Sequence, residues 1–307
     1  MTPHTADRVT PLLQQRIKTV FRRLPKALAG SEEDLHQLRV GGRRLRVALP
    51  ILGVKPGGRR VRRSLRTLRA ITRAGGIGRD LDVAVGLFEE ELARAPLAPE
   101  RRLLRRRLVA ARARARARMA EALLDLEIAR LRRDLRVLSR RGDGFFAASR
   151  RLRETRDRQG AEALAIIAAL GERFDPVELH RLRRRVRRLR YAAELSSALK
   201  GQPAPAAAEF RALQDQLGAL HDAYVLSGWF TRQAGASRAR GQGPLGAEAA
   251  SLAAVFLEAS RGHHRAFLAL PPAEAVSRGL ELMGSSSGAA LRAGAGGERG
   301  PETGTPA

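Results

Sequence analysis

The chain has 307 residues, 44% of them apolar, and a formal charge of +27, which is enough material for two helical packing units and far more cation than solubility requires. The lack of cysteine excludes disulfides and thiolate metal sites, and aromatic residues, at 4%, are too few for platforms that stack single-stranded bases. Lysine occurs only at Lys18, Lys26, Lys55 and Lys200, so nearly all the charge is guanidinium, which stays protonated and grips phosphate oxygens two at a time.

Met1 to Asp7 lacks the apolar core of a signal segment, and no later stretch approaches the run of about 18 apolar residues that a membrane span needs. The expectation is a cytoplasmic protein without a membrane partner. Val9, Leu12, Leu13, Ile17, Val20, Phe21 and Leu24 follow the helical period, and the same spacing recurs from Leu35 to Leu52 and from Val61 to Ile71. From Glu100 to Arg140 the apolar positions continue without proline, which predicts one long helix; its Arg-Ala alternation from Arg112 to Arg118 uses two strong helix formers.

Pro and Gly cluster at Pro25 to Ser31, Val54 to Gly58, Pro96 to Pro99, Gly142 to Gly144, Gly201 to Pro205, Gly241 to Pro244 and Pro271-Pro272. These breaks separate roughly eight to ten helices. From 284 to 307 the chain is Gly, Ser and Ala with few large apolar groups, so a disordered tail is expected.

Residues 36 to 46 and 180 to 190 share the pattern H-x-L-R-x-x-x-R-R-L-R, each preceded by an acidic residue and leucine, Asp34-Leu35 and Glu178-Leu179. A second pair follows at nearly the same separation: Gly76-Ile77-Gly78-Arg79-Asp80 and Gly218-Ala219-Leu220-His221-Asp222, each with valine three residues further on. Two blocks in the same order at the same spacing predict an internal duplication. On a helix, His36, Arg39, Arg43 and Arg46 fall within an arc of roughly 80°, with Leu38, Leu45, Leu49 and Leu52 on a different face. His180, Arg183, Arg187 and Arg190 repeat the arrangement, so each helix should dock by leucines and present a cationic row suited to a linear anion.

The block at 36 to 46, the R-D-x-D-V block at Arg79 to Val83 and the later block ending R-L-R-Y-x-x-E at Glu194 resemble those of the CHAD family (conserved histidine α-helical domain) over residues 8 to 270. The resemblance implies an all-α fold of two four-helix bundles, residues 8–140 and 160–270, related by a pseudo-two-fold axis around a basic central groove or cavity. It further implies non-catalytic binding of inorganic polyphosphate and association with polyphosphate granules. The matching positions are His36, Arg39, Arg43, Arg44 and Arg46 in the first block and His180, Arg183, Arg187, Arg188, Arg190 and Tyr191 in the second.

Two departures stand out. Gly41-Gly42 within the first motif helix either loosens it or packs closely against a neighbour, and the glycines from Gly75 to Gly78 blur a helix boundary. His4, His221, His263 and His264 lie outside the rows and read as packing residues, and most other arginines, including Arg101 to Arg107 and Arg132-Arg133, as solvated faces.

Asp80, Asp82 and Asp222 invite a metal or general-base reading, but His221 is matched by Arg79, which ligates no metal. These carboxylates are expected to cap helix starts or anchor arginines. No tunnel-triphosphatase E-x-E-x-K signature and no phosphate-loop signature is present, so no enzyme, cofactor or metal is expected. The alternative is a basic helical protein that binds DNA or RNA nonspecifically, since such a surface attracts any polyanion.

Overall fold

The computed structural model describes residues 8–94 and 98–285, and the 284–307 tail expectation falls almost wholly outside them. Among the described residues the ordered elements are ten helices, with a single isolated backbone bridge between Gly53 and Gly142. They are α1 (Val9–Leu28), α2 (Glu32–Leu52), α3 (Arg59–Leu92), α4 (Pro99–Leu124), α5 (Ile128–Leu138), α6 (Phe145–Leu170), α7 (Pro176–Lys200), α8 (Pro205–Arg238), α9 (Gly243–Leu268) and α10 (Pro272–Gly284).

The helices carrying the repeated motif are started by local chemistry. The Ser31 side chain accepts from the Asp34 amide, and Glu32, Glu33 and Asp34 place negative charge at the positive end of α2. In α7 Asp175 accepts from the Val177 and Glu178 amides, Pro176 opens the helix, and Gly201, at φ +69°, closes it with left-handed backbone. The predicted leucine stripe is buried: Leu38, Leu45, Leu49 and Leu52 are fully enclosed, as are Leu182, Val186 and Leu189 on α7.

The glycines do not break their helices. A methyl group on Gly41 would stand 3.5 Å from Val20, and one on Gly42 3.6 Å from Thr72, so both mark where α1 and α3 press on α2. Likewise α3 runs unbroken through Gly75 to Gly78, and the bare backbone at Gly75 leaves room for the Arg39 side chain.

Two expectations need correction. The stretch from Glu100 to Arg140 is two helices, parted at Asp125 to Glu127. The turn has no Pro or Gly; burial of Leu131 and Leu135 in the core that α3 shares, with Asp134 meeting Arg63, outweighs helical continuity. Asp80 and Asp222 lie in the middle of α3 and α8, so neither caps a helix start. A further break, between α6 and α7, falls at Gly171 (φ +52°).

Helix α1 pairs with α2, α2 with α3, and α3 with both α4 and α5; α6 pairs with α7, α7 with α8, and α8 with both α9 and α10. Contacts α2–α7, α3–α8 and α4–α9 join the two series. The larger apolar core draws on α1 to α3, the end of α4, α5, α6, α7, the first half of α8, the end of α9, and α10. A smaller core joins the far halves of α3 and α8 to α4 and α9, centred on Phe230 between Phe88 and Phe256. Along α3 the buried members of the first core end at Ile71 and those of the second begin at Ala84; along α8 the same gap runs from Leu220 to Leu226. Arg79, Asp80, His221 and Asp222 occupy that gap.

Candidate anion-binding groove

The groove is built where α2 and α7 meet, flanked by α3 and α6. A cavity of about 310 Å³ is lined by Arg43 and Arg46 from α2, Arg69 from α3, Arg158 from α6, and Arg184, Arg187 and Arg188 from α7. Val47, Pro50, Ile51 and Leu65 form an apolar wall, Tyr191, Thr155 and Gln159 complete the lining, and no carboxylate is among these residues. Arg46 donates to the Thr72 hydroxyl at 3.2 Å, and Arg188 reaches the buried Gln159 side chain at 3.4 Å.

Electrostatics couple the two rows. Burial and then the charges of Arg69, Arg188 and Arg43 push the Arg46 pKa down to about 10, and burial with Arg43 and Arg183 lowers that of Arg187. Arg43 is lowered by burial and by Arg183, against a supporting interaction with Tyr191. Guanidinium does not give up its proton in proteins, so these shifts express the cost of gathering like charges in a partly dry cleft. An anion there would relieve it.

The remaining motif residues separate into two other groups. Arg44 forks onto Glu194 at 2.8 and 3.0 Å, Arg190 lies 3.5 Å from the same carboxylate, and both guanidiniums rest on the Tyr191 ring. Burial works against the charge of Arg44, but the fork outweighs it and its pKa is raised. These two arginines are engaged within the protein.

The second group lies in the seam between the cores. Arg39, 6% exposed, donates to the carbonyl oxygens of Gly75 and Gly76, and burial followed by Arg43 lowers its pKa to about 10. Arg183 stands 3.8 Å from Asp222. Burial raises the pKa of Asp80 and Asp222 although Arg39 and Arg183 pull the other way, and the two carboxylates oppose each other. His36 is held below the usual histidine range by burial and then Arg79. His180 is lowered by burial and then Arg183, and its Nδ1 faces that of His221 at 3.2 Å.

Thus Arg43, Arg46, Arg187, Arg188 and Tyr191 line the cavity, His36, Arg39, His180 and Arg183 lie in the seam, and Arg44 and Arg190 flank Tyr191. Arg69, Arg158, Arg184 and His221 were not among the predicted set. His221, read from the sequence as a packing residue, instead faces His180, and its register with Arg79 was the signal for it; Arg69 and Arg158 stand outside both repeated blocks, and no spacing marks them. Asp82 anchors Arg116 at 2.5 Å, as the arginine-anchoring reading expected.

Among the described residues no group of three or more His, Cys, Asp or Glu is placed to hold a metal ion, and no helix is long and apolar enough to cross a membrane. Fold and site define an all-helical protein with an arginine-lined cleft between two motif-bearing helices. The CHAD domain model matches residues 11–231, and the chain belongs to the CHAD family, which is consistent with a non-catalytic protein.

Two solved structures share the fold. The crystal structure of the CHAD domain from the plant Ricinus communis is 24% identical, with 90% of this chain and 91% of that one covered at a TM-score of 0.57. PptA from Streptomyces chartreusis is 17% identical, with 85% and 98% covered at a TM-score of 0.63. No curated protein matches the chain.

Proposed function

We propose that this chain is a non-catalytic receptor for inorganic polyphosphate, held in the groove between α2 and α7. The observation that carries the reading is a cleft lined by seven arginines and no carboxylate, in a protein whose partly buried arginines elsewhere mostly have acidic partners. Guanidinium forks suit phosphate oxygens, and a row of them suits a linear chain of phosphates. Arg43, Arg46, Arg187 and Arg188 make the direct contacts, with Arg69, Arg158 and Arg184 extending them; His36, Arg39, His180 and Arg183 form the inner end. Arg44, Arg190 and Tyr191 act by fixing the shape of the wall.

The reading includes an internal duplication about a pseudo-two-fold axis between residues 8–140 and 160–270. It is supported by paired helix lengths: α3 and α8 each have 34 residues, and α4 and α9 each have 26. Parallel neighbour relations within each half point the same way. Such a protein would sit in the cytoplasm on polyphosphate granules. The competing reading is nonspecific DNA or RNA binding, favoured only by the overall charge.

Competition at physiological salt separates them. Long-chain polyphosphate should displace labelled duplex DNA at micromolar phosphate; failure to displace it would favour the nucleic-acid reading.

A further inference from the structure

The two halves differ at one position of the inner cluster. Where the first half has Arg79, a permanent cation, the second has His221, whose ring lies 4.4 Å from that of His180, with the two Nδ1 atoms 3.2 Å apart. Two facing Nδ1 atoms at that distance attract only if one carries hydrogen and the other a lone pair. A first added proton goes to the free Nε2 of the donor ring, leaving a stronger charge-assisted N–H···N bond. A second would set two N–H groups against each other. The pair is therefore built to accept one proton.

We infer that His180 and His221 form a proton-sharing dyad at the inner end of the anion site, and that polyphosphate binding draws one proton from solvent onto it. The inference rests on the polyphosphate reading above. On α7, Arg183, Arg184 and Arg187 bear on the dyad, and on α8 Asp222 adjoins it. Arg39 from α2 and Arg79 and Asp80 from α3 face the same cluster through Arg183 and Asp222, and His36 from α2 is set against Arg79 as His180 would be against an arginine at 221. From α9, His263 is turned to Gln216 and His264 to Phe174; from α6, Glu162 is held by Arg185; from α10, Arg278 is held by Glu209 and Glu274.

No carboxylate among these forms a hydrogen bond to either imidazole, so the free site keeps both rings neutral, His221 down to about 3 through burial and then Arg183. A bound polyanion cancels the guanidinium field and raises both values. Affinity must then rise as pH falls through the neutral range, because the bound state holds the extra proton.

The test is titration of the full chain with long-chain polyphosphate at constant salt from pH 8 to 5.5, with variants checked for fold by circular dichroism. Wild type is expected to bind about tenfold more tightly at pH 6 than at pH 8. His221→Arg, which copies the first half, should bind with little pH dependence and at least the wild-type affinity seen at pH 8. His221→Gln serves if the arginine does not fold, and should hold the weak high-pH affinity throughout. Tight but pH-independent binding by wild type, or an unchanged profile in both variants, would overturn the dyad while leaving the polyphosphate reading intact. Absence of wild-type binding at every pH would overturn that reading instead.

Discussion

Arg44 and Arg187 sit on neighbouring helices around the same tyrosine, and they are held in opposite ways. Arg44 closes a two-pronged ion pair with Glu194, and its charged state gains from its surroundings. Arg187 faces Arg43 across the groove and has Arg183 one turn before it on α7, and burial with these like charges makes its charged state lose. The contrast extends outward: Arg63 has Asp134, Arg116 has Asp82 and Glu32, and Arg151 has Asp143, whereas the groove arginines Arg43, Arg46 and Arg69 have no ion pair among the described residues. Matched arginines hold the fold together, and on the proposed reading the unmatched ones gathered in a concave cleft are the ones that take the anion. Total charge does not make this distinction; placement does.

The broadest way to break the comparison is salt. With seven guanidiniums in the groove, polyphosphate affinity should fall by at least about a thousandfold between roughly 50 and 200 mM salt, by analogy with counterion release from nucleic acids. A shallow dependence would mean that few of them are engaged.

The matched side should behave in reverse. Glu194→Ala leaves Arg44 and Arg190 without their carboxylate, and is expected to lower stability by about 2 kcal/mol in urea unfolding while polyphosphate affinity, touched only through the shape of the wall, falls far less than in groove-arginine variants. A large loss of affinity with unchanged stability would reverse the assignment.

Acid sharpens the same contrast with a smaller effect. The Arg63 hydrogen bonds hold the Asp134 carboxyl below its usual range, so its folded-state pKa lies under its unfolded one. The stabilisation is present above the ordinary carboxylate range and lost as pH falls through the folded value. Thermal stability should therefore decline below about pH 4, and less so in Asp134→Asn; identical acid profiles would contradict it.

Much of this was legible beforehand because helical patterning and motif repetition are local signals. The leucine stripe from Leu38 to Leu52 follows from periodicity alone, and the two cationic rows from the repeat. The turn at Asp125 to Glu127 was not legible, since nothing in its own residues stops a helix; the cause is the burial of Leu131 and Leu135 beyond it. Arg39 reads as a free member of the row but is drawn inward by the space at Gly75, a tertiary event. Arg69 and Arg158 join the groove only because α3 and α6 flank it. Conversely Arg44 and Arg190, identical in pattern to their neighbours, are taken by one carboxylate, which the motif's own Glu194 announces only in retrospect.

The most direct test of the central claim compares two double variants of equal charge: Arg46→Ala with Arg187→Ala in the groove, and Arg133→Ala with Arg136→Ala on the exposed face of α5. Two lost charge-assisted contacts predict at least about a hundredfold weaker polyphosphate binding for the groove pair and no more than about threefold for the surface pair. Equal losses in both would contradict the account, because total charge and not the cleft would then be holding the ligand.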